Sequence, residues 1–273
     1  MNWLSVRVRP GAAERDAVIA ALFGAGSQGI QEDGDAIVTH FPPGTDPERI
    51  RLAVADASPA IAPEIGETPA VDWAEEWKRG LSARRVGGLT ITPPWDSGDD
   101  PATTIVIDPG MAFGTGEHPT TRLVTLLMQG VVRVGDRVAD LGAGSGVLAI
   151  AAAKLGAGRV TAIEMDPDAI GNAEENVTRN GVGSVVHVIE GDAAVLLPLV
   201  APVRVILANI ISSVITALLP AMAAALSPGG RAIVSGVLVA ERDAMREVLA
   251  GTGWTVRDEM AEDIWWAAVV ARG

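Results

Sequence analysis

The 273-residue chain has no cysteine, which excludes a disulfide framework, a thiolate nucleophile and a cysteine-based zinc site. Histidine is scarce, and His40, His118 and His187 lie far apart in unlike contexts, so no metal centre is expected. Lysine is scarcer still: Lys78 and Lys154 stand against nineteen arginines, which leaves few amines of the chain's own open to modification. Positive charge is short overall. A net charge of −13 offers no excess of cationic side chains for gripping a phosphate backbone, so no direct nucleic-acid binding is expected, and a basic protein partner is attracted instead. Long apolar runs are missing too. The opening Met1-Asn-Trp-Leu-Ser-Val-Arg7 lacks a signal-peptide core, and the best apolar stretch, Val214 to Leu226, contains Pro220 and is too short to span a bilayer, so it reads as a helix packed on a sheet. No membrane association and a cytoplasmic setting follow. There is no internal repeat or low-complexity tail, and the oligomeric state stays open, with a monomer compatible.

What is present concentrates between residues 100 and 210. Arg137-Val-Ala-Asp-Leu-Gly-Ala-Gly-Ser-Gly-Val-Leu148 reads as an apolar strand, a glycine-rich turn and a helix, with Asp140 at the strand's end. Gly142, Gly144 and Gly146 alternate, so the backbone can take positive φ and bring its N–H groups against a ligand. A dinucleotide site needs a small residue at position 147, which is Val, and no P-loop Gly-Lys-Ser/Thr occurs. A phosphate-free adenosyl ligand fits this turn better. One βα unit further on, Arg159 to Asp166 reads as the next parallel strand. Glu164, at its carboxyl end, is placed to accept hydrogen bonds from two ribose hydroxyls, 164 − 142 = 22 residues beyond Gly142 against roughly 20 for such a unit.

Asp166-Pro167 opens a helix through Asn176, a capping residue followed by proline at the first helical position. A third strand, Val185 to Glu190, ends at Gly191-Asp192-Ala193, where Asp192 either edges an adenine ring or sits in a surface turn. A fourth, Val203 to Ala208, is a continuous apolar run of the buried parallel type and ends in Asn209, a polar amide at a crevice mouth.

These strand ends resemble a class I S-adenosylmethionine-dependent methyltransferase. Upstream, Asp108-Pro-Gly-Met-Ala-Phe-Gly-Thr-Gly-Glu-His-Pro-Thr-Thr121 resembles the signature loop of the PrmA family, which methylates ribosomal protein L-eleven; the resemblance extends to Asp72-Trp73 with Trp77, Pro94-Trp95, Asn209-Ile210-Ile211 and Ser235-Gly236-Val237-Leu238. It implies that Thr121, Gly142, Glu164 and Asn209 contact the cofactor. Four places depart from the family pattern: Glu117 stands where threonine is usual, Ala143 where cysteine is frequent, Glu164 replaces aspartate, and Ser212-Ser213-Val214 replaces a small, proline-containing stretch.

The expected fold is α/β: a Rossmann-like methyltransferase domain at 87–273, a small α+β domain at 1–66 and a linker helix at 67–86. In the small domain a strand at 2–9, a helix at 12–23, a hairpin at 29–41 turned at Asp33-Gly34, a helix at 47–57 and a strand near 60–65 give the β-α-β-β-α-β order of a ferredoxin-like unit. The resemblance implies that this domain recognises the ribosomal protein. In the linker, Trp73 and Trp77 share a helix face at i, i+4 and read as packing anchors.

Methyl transfer from a sulfonium to an amine is an in-line displacement, so the protein chiefly aligns and desolvates, and the amine must be neutral. A lysine at its usual pKa of about 10.4 needs depression or a proton acceptor. Asn209 is the catalytic candidate: its side-chain oxygen can hold the amine, although an amide is no base. Glu117 and His118 are the nearest titratable groups, read first as shaping the loop, with solvent taking the proton. Phe113 either covers the methionine moiety or packs, and a hydroxyl of Thr120 or Thr121 is placed to cap the helix through Met128. The cofactor set is thus Phe113, Thr121, Asp140, Gly142, Gly144, Glu164, Asp192 and Asn209. A related methyltransferase acting on another protein or a small-molecule acceptor is the alternative.

Overall fold

The computed structural model describes residues 3–11, 14–27, 29–68, 81–96, 100–108, 114 and 116–273. They fall into two compact units, Met1–Gly80 and Leu81–Gly273.

The small unit runs β1 (Trp3–Val8), α1 (Arg15–Gly24), β2 (Ile30–Asp33), β3 (Ala36–Phe41), α2 (Pro47–Ala57) and β4 (Glu64–Thr68). Its sheet order, β2-β3-β1-β4 with every neighbour antiparallel, is that of a ferredoxin-like fold. Gly34 turns the β2–β3 hairpin at φ +64°, a left-handed conformation that a Cβ would disfavour. Asp46 starts α2 by accepting the Glu48 N–H at 3.0 Å, with Pro47 at the first helical position. Val6, Val8, Leu22, Ile37, Phe41 and Ile50 form the core. The last strand lies further along than the expected 60–65, because antiparallel pairing from Trp3↔Thr68 to Arg7↔Glu64 sets its register. A boundary at residue 66 therefore falls inside β4. Residues 69–80, with Trp73 and Trp77, lie outside the described residues, and the end of the expected linker helix, Arg84–Val86, is a strand.

The large unit begins with a three-stranded sheet, β5 (Arg84–Val86), β6 (Leu89–Thr92) and β7 (Thr104–Val106), in that order. There follow α3 (Pro119–Val131), β8 (Arg137–Leu141), α4 (Val147–Lys154), β9 (Arg159–Glu164), α5 (Pro167–Arg179), β10 (Val186–Glu190), α6 (Ala193–Val200) and β11 (Val203–Asn209). The chain ends with α7 (Ser212–Ala225), β12 (Leu226–Leu238), α8 (Arg242–Gly251), β13 (Trp254–Glu262) and β14 (Trp265–Arg272). The order of the main sheet is β10-β9-β8-β11-β12-β14-β13, parallel from β10 to β12 and closed by antiparallel β14 and β13.

Strands this apolar are covered on both faces. Val138, Val205 and Leu207 point into one core with α3, α4 and α5, while Ala139, Leu141, Ile206 and Ala208 point into the other with α6, α7 and α8. The chain reverses its winding between β8 and β11, and an open α/β sheet forms its ligand crevice outside the carboxyl ends of the strands at such a point.

Candidate active site

The turn after β8 is built to receive a ligand. The N–H groups of Gly142 and Ala143 donate to the Ile163 carbonyl at 2.9 and 3.1 Å, locking the turn to β9. Gly142 has φ +70°, and a Cβ there would meet Ile210 Cγ2 at 2.6 Å, so the residue is confined to glycine by both backbone and space. Glu164 bridges the two strand ends: Oε2 accepts the Gly144 N–H at 2.7 Å, and Oε1 accepts those of Met165 and Asp166 at 2.8 and 2.9 Å. Above lies a cavity of about 720 Å³ with Thr121, Gly142, Gly144, Glu164, Asp192 and Asn209 in its wall. Sites for drug-sized ligands run from about 300 to 1,000 Å³.

Buried polar atoms are normally paired, so the unpaired ones mark where a ligand belongs. Two lie in residues of the cavity wall: Thr121 Oγ1, in a fully buried residue, and Asn209 Oδ1. Asp140 sits beneath the wall rather than in it. Its position along β8 matches that of Val138, so it points toward α3 and α4, and neither carboxylate oxygen has a hydrogen-bond partner. Burial pushes its pKa up to about 7, the nearby Glu164 charge adds to the rise, and the dipole of the Ala149 N–H works against it. Asp192 lines the cavity and also caps α6, its Oδ1 accepting the Ala194 N–H at 2.8 Å.

The other wall is aromatic. His118 meets Trp265 edge-on with ring centroids 5.0 Å apart. Burial lowers the His118 pKa, with the Arg122 charge a second cause, so the ring is neutral at pH 7. Its Nδ1 accepts from the Thr120 N–H and lies 2.7 Å from Thr120 Oγ1, so the cap of α3 is His118 rather than either threonine, and the Thr121 hydroxyl is left to the cavity. Glu117 is held outside by Arg84 at 2.6 Å. Phe113 lies outside the described residues, as do residues 109–112 and 115 of the signature loop.

Sequence reasoning missed how the ends of that loop are held. Asn172, Asn176 and Asn180 recur every fourth residue along α5 and its C-cap, a spacing that puts three carboxamides on one face. Asn176, fully buried, accepts the Asp108 N–H at 2.9 Å and donates to the Ser145 carbonyl at 3.1 Å. Ser145 Oγ in turn donates to the Gly114 carbonyl at 2.8 Å. The loop is therefore pinned at Asp108 and Gly114 to the glycine turn and α5.

These parts fit an adenosyl amino acid. The wall pairs carboxylates at two strand ends with apolar surface at Val147, Leu148 and Ile163, and keeps two unpartnered acceptors for polar hydrogens. A seven-stranded sheet of this order with such a cavity at its switch point defines a class I S-adenosylmethionine-dependent methyltransferase. The model of the ribosomal protein L11 methyltransferase (PrmA) family matches residues 2–273. A ribosomal protein L11 methyltransferase of Thermus thermophilus is 37% identical over 92% of this chain and 92% of that protein, and one of Symbiobacterium thermophilum is 35% identical over 99% of each. The crystal structure of a ribosomal protein L11 methylase from Lactobacillus delbrueckii subsp. bulgaricus aligns with 70% of this chain and 98% of its own, at 29% identity and a TM-score of 0.64. The chain belongs to the ribosomal protein L11 methyltransferase family.

Proposed function

We propose that this enzyme transfers methyl groups from S-adenosylmethionine to lysine or α-amino groups of ribosomal protein L11. Family membership supports the substrate, and the observation that carries the chemistry is the buried, unpartnered Asn209 Oδ1 in the cavity wall. Thr121, Gly142, Gly144, Glu164 and Asp192 hold the cofactor, and Asp140 supports the turn from beneath. Bound there, the cofactor supplies a methyl group already activated on a sulfonium.

The chain's own residues do the rest. Asn209 Oδ1 accepts an N–H of the neutral amine and holds its lone pair in line, which is an alignment effect rather than a basic one. An apolar wall beside a cation lowers the amine's pKa by desolvation and like charge. Neutral His118 and Trp265 keep water and further charge off that side of the cavity. Glu117 is engaged by Arg84, and the amine proton leaves to solvent. The small unit recognises the acceptor. The setting is cytoplasmic; among the described residues no helix is long and apolar enough to cross a membrane.

Intact-mass analysis of unmodified recombinant L11, incubated with the enzyme and S-adenosylmethionine beside total ribosomal protein, tests the proposal. Mass steps of single methyl groups on L11 alone are expected. A shift in another protein with L11 unchanged would overturn the substrate but keep the chemistry.

A further inference from the structure

The amino-terminal ends of the strands, at the edge of the sheet opposite the cavity, carry a row of arginines. Arg159 opens β9 and stands in register with Arg137, which opens β8. Val138 pairs with Val205, so Arg204 of β11 is the next neighbour of Arg137; Val205 pairs in turn with Arg231 of β12. Arg272 ends β14 at the same edge, where Ala232 faces Val270. With strands about 4.8 Å apart, the row runs roughly 19 Å along the edge.

Like charges on directly opposed residues, such as Arg137 and Arg159, destabilise a sheet. Among the described residues, none of these five arginines is ion-paired with a carboxylate, whereas Arg84, Arg122, Arg179, Arg242 and Arg246 of the same unit all are. Three of the five reach backbone carbonyls instead: Arg137 to Val200 at 2.9 Å, Arg231 to Gly229 at 2.9 Å and Arg272 to Thr252 at 2.7 Å. Val200 ends α6 and Thr252 caps α8, and helix C-termini attract cations, but a carbonyl dipole does not cancel a full charge. A nitrogen of Arg204 is buried without any partner. Asp136, beside Arg137, turns its carboxylate onto the Arg133 N–H at 2.8 Å. Val134, 89% exposed, adds apolar surface between Arg133 and Arg137.

We propose that this edge binds the phosphate backbone of single-stranded RNA. Planar guanidinium forks match phosphate oxygens. Arg159, Arg137 and Arg204 follow one another at strand spacing, with Arg231 one residue out of their line and Arg272 beyond it, and a line of guanidiniums this long suits a polymer charged at every unit better than an acidic peptide, whose carboxylates come at irregular intervals. The expectation drawn from the net charge of −13 averages over the chain and misses the edge, where the sheet gathers cations that are scattered in sequence.

Anisotropy of a fluorescein-labelled uridine dodecamer titrated with the full chain tests this. Contacts from the three exposed arginines, Arg137, Arg159 and Arg272, give a slope of log K against log salt of about −2, at roughly 0.7 per contact for a single strand. Arg159→Gln, at an exposed side chain, should flatten the slope by about 0.7, and Arg137→Glu with Arg159→Glu should weaken binding at least tenfold at low salt, with methyl transfer unchanged. Arg242→Glu, away from the row, should leave affinity within about threefold if contacts rather than net charge decide it. No binding at low salt, a flat salt slope, equal loss in the Arg242 variant, or tighter binding of polyglutamate would overturn the proposal, the last in favour of an acidic protein partner.

Discussion

Gly236→Ala tests whether the wall of the cavity is held at close tolerance. Gly236 sits in β12 where its pairing with β14 shifts register between Val234 and Val237, and its φ is +83°. A Cβ there would lie 2.8 Å from the Ile210 carbonyl carbon, with the carbonyl oxygen nearer still. Ile210 N–H donates to the Ser235 carbonyl at 3.1 Å, so the two segments cannot part without losing that bond. Restoring an ordinary carbon–carbon contact of about 3.5–4.0 Å requires the Ile210 peptide to move by about 1 Å. Left-handed backbone strain of about 1–3 kcal/mol and overpacking of about 1–3 kcal/mol combine to about 4 kcal/mol, which lowers the melting temperature by roughly 8–16 °C. Asn209 immediately precedes Ile210, and a misplacement of about 1 Å can slow an aligned reaction on the order of 100-fold. Single-turnover methyl transfer, S-adenosylhomocysteine calorimetry and scanning calorimetry read the three effects. A rate within threefold of the parent and a melting temperature within 1 °C would refute the reasoning.

Asn209→Ala should slow single-turnover transfer at least tenfold while changing S-adenosylhomocysteine affinity less than threefold; equal loss of both would make the residue a cofactor ligand only. Asp140 holds its proton up to about pH 7 when folded and releases it near 4 when unfolded, so it makes the cofactor-free protein less stable as pH rises between those values and has no further effect above 7, at on the order of 1 kcal/mol per unit. Urea unfolding at pH 5 and pH 8 should show Asp140→Asn abolishing that part of the slope. Asn176→Ala leaves buried backbone groups at Asp108 and Ser145 unsatisfied and should cost about 2–4 kcal/mol in urea unfolding. Glu117→Thr removes a half-exposed ion pair with Arg84 worth about 0–1 kcal/mol, and its melting temperature should stay within about 3 °C of the parent.

The catalytic half of the chain was legible wherever one residue type does one job. Buried parallel strands read as apolar runs, so β8, β10 and β11 lie within a residue of the expected spans, and Asp166-Pro167 marked the start of α5. Less was visible where pairing decides. β13 went unforeseen because Thr255 to Ala261 is mostly exposed and shows no apolar alternation, and only its partner β14 holds it extended. In the cavity wall, Asn209 was legible as a polar amide ending an apolar strand and Thr121 from a resemblance, whereas the depth of Asp140, the histidine cap and the asparagine face of α5 depend on contacts between distant segments. Such contacts leave a spacing in the sequence but not its meaning.

The hold of α5 on β7 has a consequence for solubility. β7 is the edge of its small sheet, and a bare edge strand is a template on which another chain can pair and aggregate. Asn180 accepts the Val106 N–H at 2.8 Å and donates to the Val106 carbonyl at 2.6 Å, imitating the peptide of a missing neighbour strand. One carboxamide on a helix thus closes an edge that would otherwise invite fibrous self-association, and it does so with a side chain that has no backbone to pass the pairing on.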